Sequence, residues 1–139
     1  MPLLDELATR RALRTQAMYC MRVAGVVAMI GGVWSAASLV MNIFGEGDRS
    51  RQIGIAALGA VEGAFGWALF RKHAALAGSA LTLIAVFHAF RSWARTGSLI
   101  GLGVGAAFVL VYGLGWRGAA TYSTLASTPD PVPAQPEAR

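Results

Sequence analysis

The segment Ile53 to Phe70, IGIAALGAVEGAFGWALF, is an apolar run broken by one carboxylate, Glu62. About 20 residues at roughly 1.5 Å rise match a hydrocarbon core of about 30 Å, so such a run predicts a transmembrane helix. Glu62 then falls near the bilayer midplane, where a charge is costly, and must be protonated, paired or turned towards a polar cavity. Three further apolar runs, at about 23–44, 74–93 and 98–116, follow the same pattern. Over 139 residues the chain is 55% hydrophobic and 14% charged, the balance expected when lipid replaces water around much of the surface. The fold class that follows is all-α: an integral membrane four-helix bundle, one domain over 1–126.

The segments between the runs are short. Gly45 to Asp48 carries turn chemistry and Arg49 to Gln52 completes a polar loop. Arg71-Lys72-His73 is a tight basic turn that makes the second and third spans antiparallel neighbours. Arg95-Thr96-Gly97 closes the third span. Before the first span, residues 3–19 combine the apolar Leu3, Leu4 and Leu7 with the basic Arg10, Arg11 and Arg14, and Asp5 and Glu6 stand in the first turn. That pattern predicts either an interfacial helix lying on the membrane surface or a basic leader that only sets topology. The stretch 127–139, STPDPVPAQPEAR, has no apolar period and reads as a disordered tail.

Four spans put both termini on one side. Arg10, Arg11, Arg14, Arg22, Arg71, Lys72 and Arg117 share that side, against Arg49, Arg51, Arg91 and Arg95 on the other, so both termini are expected in the cytoplasm. The formal charge of +5 is carried at helix ends and loops, where anionic lipid headgroups rather than nucleic acid are its partners. Arg10, Arg11, Arg14, Arg91 and Arg95 are the candidate headgroup contacts. The single cysteine, Cys20, excludes an intrachain disulfide and a Cys-x-x-Cys pair. No metal cluster, nucleotide loop or nucleophile with its base is visible, so an enzyme acting alone is not expected.

Within the spans, Glu62, His88, Ser35 and Thr82 form the candidate intramembrane polar site. His88 lies four or five residues outward of its span's centre, roughly 6 to 7 Å along the axis, within reach of Glu62 directly or through water. Two readings stand side by side. Glu62 and His88 line a proton relay or small polar site, or Glu62 is the neutral acid, hydrogen-bonded to Ser35 or Thr82 and latching the bundle. Gly59, Gly63 and Gly66 beside Glu62 allow a second helix close, or leave room for a ligand.

The segment Ala60 to Phe90, AVEGAFGWALFRKHAALAGSALTLIAVFHAF, resembles the middle of DoxX-like membrane proteins, small four-span bundles. There a Glu in the second span precedes small and apolar residues, a basic turn and an Ala/Leu-rich third span. Glu62 matches that Glu, Arg71 the basic turn, and Arg22 with Gly25 the opening of the family's first span. No Lys occurs between Arg22 and Phe44, where the family's first span ends in Gly and Lys. The resemblance implies a bacterial inner-membrane protein, in some relatives tied to quinone-linked complexes. Two functions are therefore expected in competition. One is an accessory or scaffold subunit among other membrane subunits. The other is a homo-oligomer handling a solute, proton or quinone at Glu62 and His88, with bound lipid or quinone as the compatible ligand and no cofactor evident.

Overall fold

A computed structural model describes residues 2–42 and 49–128. Four helices account for them: α1 (Pro2–Asn42), α2 (Arg49–Lys72), α3 (Ala75–Thr96) and α4 (Leu99–Ser127). Each is long and apolar enough to cross a membrane. The expected loop at Gly45–Asp48 and the tail beyond Thr128 lie outside the described residues.

Helix ends differ from expectation: α2 takes in Arg71 and Lys72 and α3 takes in Arg95 and Thr96, and three further differences are larger. Residues 3–19 form no separate interfacial helix; they run without a break into the first span as one 41-residue helix. Arg49 to Gln52 belong to the first turn of α2 rather than to a loop. The fourth helix continues past Trp116 to Ser127. The first and third differences share a cause. Ala17 and Ala119 are buried, Gly118 packs on Cys20 and Met21, and Arg14 donates a 2.9 Å hydrogen bond to the Leu125 carbonyl. From Arg14 onward the two ends thus support each other as an antiparallel pair beyond the α2–α3 turn.

The links follow local chemistry. Gly97 ends α3 in the left-handed region at φ 60°, its N–H bonded to the Trp93 carbonyl at 2.8 Å. Glycine occupies that region without a Cβ penalty. Ser98 then caps α4, accepting from Gly101 N–H. The α2–α3 link needs only His73, at φ 51°, and Ala74.

The helices form a ring in which α1 packs most extensively on α2 and α3 on α4. Helix α1 also packs on α4; of the four adjacent pairs, α2 and α3, the neighbours that the basic turn imposes, touch least. Small residues set the register. Gly25 meets Gly66, and Gly32 meets Gly59, so numbers rise along α1 as they fall along α2. Gly78 lies on Trp116 and Gly105 on Ala89 between α3 and α4. The enclosed core is made of Met21, Ala24, Ala28, Leu69, Ala77, Leu81, Ala85, Tyr112 and Ala119. Large apolar side chains instead point outward on every helix, among them Ile30, Val33, Ile53, Leu76, Leu83, Leu99 and Leu110. That arrangement suits a lipid surround, in which close backbone approach and van der Waals contact replace hydrophobic collapse as the packing force.

Neighbouring glycines on α1 make the packing testable. A Cβ on Gly32 would lie 2.6 Å from the Gly59 carbonyl oxygen and 3.1 Å from the Gly63 Cα, so backbone would have to move. A Cβ on Gly31 would meet Glu62 Oε1 at 3.7 Å, an ordinary contact. Gly32→Ala is expected to destabilise the bundle by about 1–3 kcal/mol, the cost typical of overpacking, while Gly31→Ala is neutral or slightly stabilising. Reversible unfolding in mixed micelles measures both, and equal effects would show that α1 and α2 are not in this register.

Candidate functional site

Glu62 occupies the middle of α2, between Gly59 and Gly66 on the face that packs against α1. Its hydrogen-bond partner is Tyr112 of α4, whose hydroxyl donates to Oε1 at 2.6 Å. Tyr112 is 1% exposed, the largest fully buried side chain in the core. A buried tyrosine carries a large apolar ring and a hydroxyl that must find an acceptor. Glu62 supplies one. Because α2 and α4 stand across the ring from each other, this bond passes through the bundle's interior.

On one side of the bond the helices are tightly packed: Met21, Leu69, Leu81 and Ala119 are fully buried. On the other, towards the α3–α4 link, they part around a partly open cavity of about 450 Å³. Gly31, Trp34 and Ser35 of α1 line it, as do Ala85, His88, Ala89 and Ser92 of α3 and Gly101, Val104, Gly105, Phe108 and Tyr112 of α4, while α2 contributes Glu62 alone among the lining residues. Tyr112 and Glu62 therefore stand where packed core meets open space. Glu62 is half-buried, with Gly31 opposite its carboxyl and no side chain there to cover it.

The four expected polar residues separate on inspection. Ser35 and His88 do share the cavity with Glu62, but neither is its hydrogen-bond partner. Ser35 donates to the Gly31 carbonyl at 3.0 Å within its own helix. His88 is exposed, with its ring edge-on to Phe87 at 6.2 Å. Thr82 lies outside the cavity lining and donates to the Gly78 carbonyl at 2.9 Å. Hydroxyls on a helix satisfy themselves on the preceding turn, and that local bond outcompetes the distant carboxyl. Among the described residues no group of three or more His, Cys, Asp and Glu side chains comes together to hold a metal.

Tyr112 is the functional residue the sequence reading missed. It stands in the fourth apolar run, four residues before the expected end at Trp116, but the helix continues fifteen residues past it to Ser127 and so places it in the interior. The available signal was chemical: a phenol within an apolar run requires an acceptor, and Glu62 is the acid within the expected spans.

The candidate headgroup arginines also divide. Arg10 pairs with Glu6 at 2.9 Å, and Arg14 holds the end of α4. Arg11 and Arg95 are exposed and Arg91 is half-buried. At the α2–α3 end, Arg71 stacks over Trp67 with its guanidinium carbon 4.8 Å from the ring centre. Comparison with protein-family models, with curated proteins and with solved structures finds no match to this chain.

Removing the Tyr112 hydroxyl leaves a carboxyl without its donor, whereas Thr82 serves only its own helix. Tyr112→Phe is expected to lower unfolding stability by about 1–3 kcal/mol, and Thr82→Val to change it by less than about 0.5 kcal/mol. A double-mutant cycle between Tyr112→Phe and Glu62→Gln reads the coupling directly; independent effects would mean the bond does not form.

Proposed function

We propose that this chain is a multi-pass membrane protein whose cavity binds a small solute, with Glu62 as the polar group that engages it and Tyr112 as the residue that orients Glu62. The observation that carries this reading is a carboxyl half-exposed to a 450 Å³ cavity while one of its oxygens is held by a buried phenol. A carboxyl that served only as a latch would be closed over by side chains. Here Gly31 stands opposite it instead, and a space of ligand size adjoins it. His88 and Ser35 join the site as wall residues that a solute can meet once inside.

This reading is favoured over an accessory or scaffold role because a scaffold has no use for a cavity around its most costly residue. A bacterial cytoplasmic membrane is the setting implied by the DoxX-like resemblance of Ala60 to Phe90. Both termini are assigned to the cytoplasm, since Arg22, Arg71 and Arg117 gather at one end of the helices and Arg49, Arg51, Arg91 and Arg95 at the other. The cavity then opens in the outer half of the bundle. In this reading lipid covers the apolar exterior, and a homo-oligomer is the assembly proposed with it.

A lipophilic carbodiimide tests whether the carboxyl is reachable from the membrane. The acid's O–H adds across one N=C bond of the reagent, and rearrangement leaves a stable N-acylurea carrying the reagent's full mass. Dicyclohexylcarbodiimide is expected to label Glu62 in protein held in lipid nanodiscs, as read by peptide mass spectrometry. Absence of label at Glu62 while the protein stays folded would sink the ligand-site reading in favour of a sealed latch.

A further inference from the structure

We infer that the ligand of this cavity is a small lipophilic organic cation, an amine or quaternary ammonium, whose charged head sits against Glu62. The inference rests on the cavity being a ligand site, and adds the chemical class. Three features of the wall carry it.

The first is charge. Of the residues lining the cavity, Glu62 is the one acid and none is Lys or Arg. An anionic ligand would meet a like-signed group, with the His88 imidazole as the one basic side chain among the lining residues and no Lys or Arg to offset the repulsion. A cation neutralises Glu62 in surroundings where an unpaired carboxylate is strongly penalised. Tyr112 leaves that option open, because its hydroxyl engages only Oε1.

The second is the aromatic lining. Trp34, Phe108 and Tyr112 contribute rings to the cavity, with Phe108 and Tyr112 at 5.9 Å between centres. Ring faces attract cations, most strongly when water is excluded, and quaternary ammonium groups are recognised by such combinations of rings and a carboxylate. A neutral polar ligand would lack that attraction, and the Ser35 hydroxyl has already given its proton to its own helix.

The third is access. Trp34 lines the cavity and also a second, almost wholly apolar groove on α1, formed with Val26, Met29, Ile30, Val33 and Ala37. A molecule dissolved in the hydrocarbon can lie in that groove and pass Trp34 into the cavity. The route selects an apolar body, and Glu62 at its end selects a positive head.

The test pairs benzyltrimethylammonium with neopentylbenzene, its neutral isostere, in which carbon replaces the charged nitrogen. Protein in lipid nanodiscs is treated with dicyclohexylcarbodiimide, and the labelling rate of Glu62 is followed against increasing amounts of each compound. The cation is expected to slow labelling about tenfold or more, and the isostere to leave it within about twofold. Equilibrium binding of radiolabelled benzyltrimethylammonium is expected to fall about tenfold or more in Glu62→Gln. Equal protection by both compounds, or none by the cation, overturns the cation assignment while the labelling itself upholds the ligand site. No labelling in the absence of either compound overturns the site and this inference together. Because the protection assay uses the unaltered chain, it decides the question even where Glu62→Gln fails to fold.

Discussion

The hydrogen bond from Tyr112 to Glu62 joins the two halves of this molecule. Helices α1 and α2 form one hairpin and α3 and α4 the other, each closely packed within itself, while α2 and α3 touch least among adjacent helices. Tyr112 reaches from the second hairpin to the centre of the first. A buried phenol and an intramembrane carboxyl are each unfavourable alone, and each supplies what the other lacks. The bond also marks a change in packing. Towards the α2–α3 turn the interior is closed by Met21, Leu69, Leu81 and Ala119; towards the α3–α4 link it opens into the cavity.

Small residues make that asymmetry. Contacts such as Gly32 on Gly59 and Gly25 on Gly66 bring the α1 and α2 backbones together on both sides of Glu62. Gly31, on the neighbouring side of the same turn, has no such contact and leaves the carboxyl uncovered. One residue's rotation about the α1 axis thus separates a packing glycine from one that keeps a site open. The same logic explains the long ends of α1 and α4. Ala17 and Gly118 allow close approach, and the Arg14 bond to Leu125 fastens a pair that extends beyond the shorter helices.

The outline of the site was readable from the chain, and its wiring was not. Glu62 stands out because an acid within an apolar run demands an explanation, and His88 and Ser35 do line the same space. Thr82 was misplaced because a helical hydroxyl bonds its own preceding turn before it reaches across the bundle. Tyr112 was overlooked because its depth depends on where α4 ends, and hydropathy alone stopped that helix at Trp116. The residues beyond remain helical through contact with α1, which a window along one segment does not register.

Hydropathy and helical period are local properties, and what they govern was settled by the amino-acid sequence: four apolar helices, a tight turn after the second, a break at Gly97 after the third, and one carboxylate at the middle of α2. Which group meets that carboxylate depends on how far each helix is rotated and slid against its neighbours. Pairs of small residues distant in the chain control both, so only the tertiary structure could choose Tyr112 over His88, run residues 3–19 into α1, and leave a cavity beside Glu62. The stretch Ile53 to Phe70 carries the charge, and the three other helices decide what it faces.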